Sequence, residues 1–407
     1  MIDQKLTLPC GAIIKNRIAK SAMSENMADA GHRPGHKFVN LYNRWSKGGT
    51  GLIITGNVMM SSKALGEPHN VVIEEGHECL EGLKEWARAG TQNGAHLWMQ
   101  INHPGKQSPK FLSPEPMAPS AIGYDSYMKN MFNPPRALTA QEITKIIKGY
   151  AYTAKVAKEA GFTGVQIHGA HGYLVSQFLS PRHNQRTDQW GGSLENRMRF
   201  VVEIYKTMRK ELGEDFPIGI KLNSADFQKG GFSEEESMIV VQTLGELGMD
   251  LIEISGGTYE ATAMMDGTKK KDSTKKREAY FLDYCEKVRK LIDTPLLLTG
   301  GFRSREGMDE ALKSGACEMI GLARSIAIDP DFPNKLLEGQ DVKSQVKPLT
   351  SGSKAMDKMI PLEIVWYTEQ IHRMGKGKEP NPNASVKMSV LRTMMSLGSA
   401  MLKRTRA

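Results

Sequence analysis

The stretch PLLLTGGFRSREGMDEALKSGACEMIGL, residues 295–322, contains one complete unit of the fold. A short apolar run, Pro295–Thr299, is followed by two glycines, an amphipathic segment, Arg305–Ser314, a further glycine and a second apolar run, Cys317–Leu322. A run that is apolar on both faces is typical of a parallel strand covered by helices. The segment between the two runs has the 3.6-residue period of a helix. The stretch therefore predicts a strand–helix–strand unit.

The same alternation extends along most of the chain. The predicted strands are Arg17–Ser24, Gly51–Met59, Ala95–Ile101, Gly164–His168, Pro217–Leu222, Asp250–Ser255, Pro295–Thr299 and Cys317–Leu322. The predicted helices are His36–Lys47, Glu78–Asn93, Ala140–Ala160, Leu194–Leu212, Glu234–Leu247, Ala279–Ile292, Arg305–Ser314 and Asp331–Leu337. Eight such units in tandem favour an α/β fold with a single TIM (β/α)8 barrel over residues 1–340. The alternative is an open Rossmann-like sheet, but no G-x-G-x-x-G follows a first strand.

Composition excludes several classes of protein. Hydrophobic residues make up 40% and charged residues 24% of the 407, which is ordinary globular composition. No apolar run approaches the roughly 18–20 residues of a membrane-spanning helix, and the N-terminal MIDQKLTLPCGAII lacks the features of a signal peptide. We therefore expect a soluble, cytoplasmic protein. The four cysteines match no metal or redox spacing, and H-E-x-x-H, P-loop and C-x-x-C motifs are absent, so no metal is expected.

The net charge of +9 is concentrated at one end, because residues 341–407 contain 12 Lys/Arg and 5 Asp/Glu. The barrel is therefore not expected to bind nucleic acid. The extension is expected to be partly helical, with one helix over Pro361–Arg373. A second helix is predicted from an apolar stripe formed by Met388, Leu391, Met394, Met395, Gly398, Met401 and Leu402. We expect this basic, amphipathic extension to pack on the barrel or on a partner subunit; contact with a membrane surface is the alternative.

Chemically active side chains are concentrated after the fourth predicted strand. The run GVQIHGAHGYLVSQFLSP, residues 164–181, places two imidazoles, His168 and His171, and the phenol of Tyr173 at the mouth of a barrel strand. Active sites of TIM barrels lie at this C-terminal end. Imidazoles can donate hydrogen bonds to a carbonyl oxygen that gains negative charge, and a phenol can donate a proton. Two histidines without a third ligand do not favour zinc.

From His168 to Arg197 the sequence resembles the old yellow enzyme family, the FMN-dependent ene-reductases and NADH:flavin oxidoreductases, and the resemblance covers about residues 1–340. Members are TIM barrels that hold FMN across the top and use NADH or NADPH to reduce activated C=C bonds. The resemblance implies that His168 and His171 bind the electron-withdrawing oxygen of the substrate. It also implies that Tyr173 donates a proton to the substrate α-carbon.

The resemblance also implies which residues hold the non-covalently bound FMN. The predicted contacts to the flavin ring come from the backbone of Ala22 and Met23, and from Ser24, Gly56, Gln100 and Lys221. Gln100 would bind the pyrimidine edge, and the charge of Lys221 would stabilise the reduced ring. A lysine in an apolar strand is expensive to bury without a partner, which also favours a functional role for Lys221.

Phosphate is expected after the seventh and eighth strands. The predicted residues are Gly301, Ala323 and Arg324, with Arg303 a weaker candidate. Two departures from the family pattern are visible. Serine stands at position 24, where relatives have Thr or Cys, and no cysteine follows Cys317, so neither an iron–sulfur cluster nor a second flavin is expected.

The sequence thus predicts an FMN-dependent NAD(P)H oxidoreductase that acts on enals or enones, small α,β-unsaturated molecules. Family resemblance also implies a homo-oligomer. The alternatives within this fold are an NADH oxidase and an amine demethylase. Outside catalysis, the alternatives are a flavoprotein without activity and a protein that binds a polyanion or a membrane surface through its basic tail.

Overall fold

Eight parallel strands form a closed barrel, in which each strand pairs with the next along the chain and the last pairs with the first. The structure, a computed structural model, describes residues 1–257, 278–353, 357, 360–393 and 395. The barrel strands, β1 to β8, are Ile18–Lys20, Leu52–Met59, His96–Asn102, Gly164–Gly169, Ile218–Asn223, Leu251–Ser255, Leu296–Thr299 and Met319–Leu322. The predicted TIM barrel is confirmed.

A helix follows every barrel strand. These helices, α1 to α8, are His36–Lys47, Leu80–Gly90, Ala140–Glu159, Leu194–Leu212, Glu234–Glu246, Leu282–Arg289, Arg305–Lys313 and Phe332–Leu337. Helix α4 has the predicted bounds because its ends are chemically marked. The Ser193 side chain accepts a hydrogen bond from the Asn196 amide at the start, and Gly213, with φ of 79°, follows the last residue.

The structure also contains shorter elements, which the sequence patterns did not predict. They are the strands Leu6–Thr7, Ile13–Ile14, Val71–Val72, Met117–Ala118 and Arg136–Ala137, the 3-10 turns Gln92–Gly94, Gly105–Gln107 and Ser126–Asn130, and the helices Leu174–Leu179 and Arg324–Ile328. The last two lie at the C-terminal ends of β4 and β8, where they shape the site.

An apolar plug closes the N-terminal end of the barrel. The antiparallel strands Leu6–Thr7 and Ile13–Ile14 contribute to a buried cluster that contains Trp98. The indole of Trp98 occupies space that only glycine leaves open on the neighbouring strands, since a Cβ on Gly164 or Gly219 would lie 2.4 or 2.7 Å from its ring. Burying one such aromatic side chain removes a large apolar area from water. This end of the barrel therefore serves stability.

The C-terminal extension contains a helix, labelled α9, Leu362–Gly375, close to the predicted Pro361–Arg373. It packs on α1, and a Cβ on Gly375 would lie 2.8 Å from the Met27 sulfur. His372 Nε2 donates to the backbone oxygen of Glu25 at 2.8 Å. This helix therefore contacts the loop that follows β1, at the C-terminal end of the barrel.

The amphipathic stripe further along is only partly visible. Met388, Leu391 and Met395 are exposed, so these members do not pack on the barrel of the same chain. The other predicted members, Met394, Gly398, Met401 and Leu402, lie outside the described residues, as does the basic run 403–406. Among the described residues, no helix has both the length and the apolar character that crossing a membrane requires.

Candidate active site

The end of β4 brings the three predicted catalytic side chains together. The ring centroids of His168 and His171 lie 5.2 Å apart, and those of His168 and Tyr173 lie 4.7 Å apart. His171 adopts a left-handed backbone conformation with φ of 60°, which reverses the chain immediately after the strand. Tyr173 then stands at the start of the short helix Leu174–Leu179. The sequence spacing thus produces one cluster of rings at the mouth of the barrel.

Neighbouring strands fix the orientation of His171. Its Nε2 lies 2.9 Å from the Ser255 hydroxyl at the end of β6, and its backbone amide donates to Asn223 Oδ1 at the end of β5. Burial, with the charge of Lys221, lowers the pKa of His171 to about 3. Burial, with His171 and Lys221, also holds the pKa of His168 well below its usual range. Both imidazoles are therefore neutral at pH 7 and can donate an N–H without bringing a positive charge.

Several buried polar atoms at this end of the barrel have no hydrogen-bond partner within the described part of the chain. They are His168 Nδ1, Asn57 Oδ1 and both amide atoms of Asn102. Asn57 Nδ2 lies 3.4 Å from the Tyr173 hydroxyl, to which it donates. Buried polar groups in native proteins are nearly always satisfied, so this group of atoms marks a place for a polar ligand. Sequence reasoning missed both asparagines, although each stands near the C-terminal end of its barrel strand.

Below the rings, polar side chains cross the inside of the barrel. Gln100 Nε2 donates to Gln166 Oε1 at 2.7 Å, and Gln166 Nε2 donates to Glu253 Oε2 at 2.8 Å. Lys221 Nζ forms an ion pair with Glu253 Oε1 at 3.1 Å, and Thr299 Oγ1 donates to the same oxygen at 2.8 Å. The two predicted flavin contacts Gln100 and Lys221 therefore belong to one buried network.

The network changes the physical reason for a lysine at position 221. The sequence argument held that a buried lysine needs a functional partner, but Glu253 on the neighbouring strand already supplies the opposite charge. Burial of Lys221 alone is therefore no sign of a cofactor. Glu253 was not predicted, although the same signal, a charged residue in an apolar barrel strand, was present in its sequence.

The end of β1 differs from prediction. The ladder stops at Lys20 rather than Ser24, after the Ser21 amide donates to the Leu322 oxygen at 2.8 Å. The Ser24 hydroxyl then donates its proton to the carboxylate of Glu67. A Cβ on Gly56 would lie 2.2 Å from a Glu25 oxygen and 2.5 Å from the Met23 oxygen.

Two predictions about this segment need a different physical account. Gly56 is small because Glu25 and the Met23 backbone approach it, and its amide donates to Glu25 Oε1 at 2.7 Å. The Ser24 hydroxyl is engaged by Glu67, so it does not offer a free donor proton. Backbone contacts of Ala22 and Met23 with a flavin stay a prediction, and both residues are partly exposed at this end of the barrel.

The loops after β7 and β8 contain the predicted phosphate residues. Gly301 has φ of 91°, and Ala323 precedes the short helix that begins at Arg324. Arg324 Nη1 donates to the Glu363 carboxylate of α9 at 2.7 Å, so one edge of the guanidinium is already paired. The amide of the weaker candidate, Arg303, already donates to Glu278 at 2.8 Å. Pairing of β7 with β8 places both loops side by side at the top of the barrel.

The family model of the NADH:flavin oxidoreductase / NADH oxidase family matches residues 10–343. Over 369 residues the chain is 37% identical to the NADH-dependent flavin oxidoreductase iliE of Hypocrea jecorina (strain QM6a), a match that covers 85% of this chain and 91% of that protein. A solved 2-naphthoyl-CoA reductase superposes with a TM-score of 0.77 at 28% identity, over 84% of this chain and 53% of the other. The old yellow enzyme homologue of Zymomonas mobilis superposes with a TM-score of 0.71 at 24% identity, over 85% and 94% of the two chains.

The residues present fit the cofactor that these relatives imply. The amide of Gln100 and the ammonium of Lys221 suit the acceptors and donors of a pyrimidine edge. A polar ligand at the same end of the barrel would satisfy the atoms of His168, Asn57 and Asn102 that lack a hydrogen-bond partner within the described residues. The guanidinium of Arg324, 39% exposed, suits a phosphate. The chain belongs to the NADH:flavin oxidoreductase / NADH oxidase family, that of the old yellow enzymes, and is an oxidoreductase that uses FMN with NADH or NADPH as reductant.

Proposed function

We propose that this oxidoreductase reduces the activated C=C bond of small α,β-unsaturated aldehydes or ketones. The observation that carries the proposal is the convergence of His168, His171 and Tyr173 at the end of β4. Two neutral imidazoles and a phenol provide donors for a carbonyl oxygen and a proton for carbon. The resemblance of the chain to a 2-naphthoyl-CoA reductase supports a conjugated carbonyl compound as substrate.

The proposed cofactor contacts follow the predicted residues. The ring would lie against the backbone of Ala22 and Met23, with Gln100 and Lys221 at its pyrimidine edge. Gly301, Ala323 and Arg324 would hold the phosphate, where backbone N–H groups and a guanidinium form an anion site. Bound there, FMN would supply hydride-transfer chemistry, with NAD(P)H as the donor and the β-carbon of the substrate as the acceptor.

His168 and His171 would bind the carbonyl oxygen of the substrate. The Ser255 hydroxyl and the Asn223 side chain hold His171 in place, so little reorientation is needed when the oxygen gains charge. Both rings lack a positive charge at pH 7, and they stabilise the oxygen by hydrogen bonding. Substrate polarisation should therefore change little between pH 6 and 8, well above the pKa of about 3 for His171.

Tyr173 would donate a proton to the α-carbon. Asn57 donates to the Tyr173 hydroxyl, which leaves the phenolic proton as the group directed to an acceptor. Tyr173 packs edge-on against His168, so the phenol would lie beside the carbon atoms of a substrate whose oxygen the imidazoles bind. A general acid in this position typically contributes about 10²- to 10⁴-fold to the rate.

The test is an anaerobic visible spectrum of the purified protein with FMN, recorded before and after NADH or NADPH and again after 2-cyclohexenone. A flavin band that bleaches with the nicotinamide and returns with the enone supports the proposal. A band that bleaches with the nicotinamide and returns only with oxygen favours the NADH oxidase alternative, and a band that is bleached by a methylated amine favours the demethylase alternative. A band that never bleaches supports the non-catalytic alternative.

A further inference from the structure

A single carboxylate, that of Glu253, organises the polar network inside the barrel. Its side chain is fully buried, and both of its oxygens are satisfied. Gln166 donates to Oε2, whereas Lys221 and Thr299 donate to Oε1. All these partners are side chains on the inner face of other barrel strands. Removing the charges of Glu253 and Lys221 from water costs free energy, so this buried ion pair is not in itself a source of stability.

The hydrogen bonds of Glu253 have a fixed direction. An ionised carboxylate only accepts hydrogen bonds, so Gln166 must present Nε2 to Glu253 and Oε1 to its other neighbour, Gln100. Gln100 must then present Nε2 to Gln166, at 2.7 Å. One charge therefore determines which way two successive amides face. The Gln100 amide atoms that remain available are fixed in the same way.

The same charge acts on Lys221. The two residues are register partners on β5 and β6, and their side chains are 5% and 0% exposed. Several hydrogen bonds and the ammonium of Lys221 hold Glu253 ionised: although burial raises the pKa of Glu253, Lys221, Thr299 and Gln166 together lower it below its usual range. Within the barrel, Glu253 offsets one unit of positive charge at a distance of 3.1 Å.

We infer that Glu253 is a positioning residue that sets the reduction potential of the bound FMN through Lys221 and Gln100. The inference rests on the proposed function in one respect, the placement of the pyrimidine edge beside these two residues. A hydride added to the flavin leaves one negative charge on the ring, which Lys221 stabilises and Glu253 opposes. Glu253 therefore keeps the potential low, which favours passing the hydride on to the substrate.

The experiment compares Glu253→Gln with the wild type as FMN holoproteins. The readouts are the midpoint potential, titrated anaerobically against a reference dye, and the dissociation constants of oxidised and reduced FMN. We expect a higher potential, with reduced FMN bound about tenfold more tightly relative to oxidised FMN than in the wild type. Glu253→Asp withdraws the carboxylate by one methylene and should raise the potential less.

The matched control is Asp250→Asn. Asp250 precedes β6 on the same segment, is 1% exposed and forms an ion pair with Arg209 at 2.6 Å, but at the opposite end of the barrel. This substitution should lower the temperature of unfolding and leave the potential unchanged. An unchanged potential in Glu253→Gln, or a shift of equal size in the control, overturns the inference.

The aspartate variant covers the case in which Glu253→Gln does not fold, since it retains a buried charge. An unchanged potential in Glu253→Asp also overturns the inference. A wild-type protein that binds no FMN refutes the proposed function, and the inference with it. If the wild type binds FMN but its midpoint potential does not change when Glu253 is replaced, the inference is refuted and the proposed function is not.

Discussion

The segment around β6 carries two buried acid–base pairs, one at each end of the barrel, and they are built differently. At the N-terminal end, Asp250 accepts from the backbone amides of Cys10 and Ile218, at 3.0 and 2.8 Å, and from Arg209. At the C-terminal side, the groups among residues 1–257 and 278–353 from which Glu253 accepts are all side chains. One carboxylate connects stretches of backbone, and the other orients groups that can face a ligand.

The difference follows the division of labour in this fold, where the N-terminal face provides stability and the C-terminal face provides chemistry. Arg209 also donates to the backbone oxygens of Gly213 and Phe216, so the lower pair holds the end of α4 against the barrel. Within the described part of the chain, the hydrogen bonds of the upper carboxylate all come from side chains, and the pair lies beneath rings that have unsatisfied atoms. Three substitutions and one change of pH can test whether stability depends on the N-terminal face and chemistry on the C-terminal face.

Loss of the lower pair should have the largest effect on stability. Asp250→Asn leaves Arg209 buried without its counter-charge, and we expect a loss of about 3–5 kcal/mol in the free energy of unfolding. Urea unfolding followed by circular dichroism measures this loss. The FMN spectrum and the enone turnover per folded molecule should remain at the wild-type level. Reduced turnover with unchanged stability would contradict the separation.

Tyr173→Phe should show the opposite pattern. It keeps the ring that packs on His168 and removes the phenolic proton, so enone turnover should fall by about 100-fold or more. Reduction of the flavin by NADH, measured anaerobically by stopped flow, and the free energy of unfolding should hardly change. Tyr150→Phe is the matched control, because it removes the hydroxyl of another buried tyrosine, which lies on α3. Full enone turnover in Tyr173→Phe would exclude Tyr173 as the essential donor.

The neutral histidines at the site should make the protein sensitive to acid. Burial, with Lys221, lowers the pKa of His171 from 6.5 to about 3. Below pH 6.5 the imidazole takes up a proton in the unfolded chain but not in the folded one. The contribution of His171 to the free energy of unfolding is therefore fully present above pH 6.5 and is lost progressively as the pH falls towards 3. Between pH 7 and pH 5, His171 should account for a loss of about 1–2 kcal/mol.

Urea unfolding at the two pH values measures this loss in the wild type and in His171→Asn. Asparagine is chosen because it tolerates the left-handed backbone at this position. The variant should lose less stability on acidification than the wild type. The exposed His36, replaced by Gln, is the control and should behave like the wild type. Equal losses in wild type and His171→Asn would show that His171 is not held neutral by the fold.

The smallest effect is expected where α9 meets the site. His372→Ala removes one hydrogen bond to the Glu25 backbone, and we expect the dissociation constant of FMN to rise about 2- to 10-fold. Isothermal titration of the apoprotein with FMN measures it. Ile364→Ala, at an exposed position of the same helix, should not alter FMN affinity. If the two variants bind FMN equally well, α9 does not support the cofactor loop.

Sequence patterns were sufficient for the elements with marked ends. Helices α1 and α4 have the predicted bounds, since their apolar periodicity begins and ends at caps or glycines. They were insufficient where a partner distant in sequence determines the end of an element. The last bond of β1 to β8 runs from the Ser21 amide to the Leu322 oxygen, and no local pattern around residue 21 records that the pairing stops there.

The site shows the same limit. The cluster of His168, His171 and Tyr173 was predictable because spacing within one loop brings the three together. The sequence marks Glu253 only as a charged residue in an apolar strand, and its role cannot be read from that signal because its partners Lys221 and Gln166 lie on other strands. The engagement of Ser24 by Glu67 likewise depends on two loops that meet only in the folded chain.

The bond between His372 and Glu25 has a consequence for the order of events during synthesis. Every barrel strand is complete by Leu322, yet the loop after the first strand gains its contact with His372 only when residue 372 has emerged and α9 has docked. A nascent chain can close its barrel before that moment, but its cofactor loop is still without this contact. FMN should therefore be retained most firmly after α9 has docked, rather than as soon as the barrel has closed.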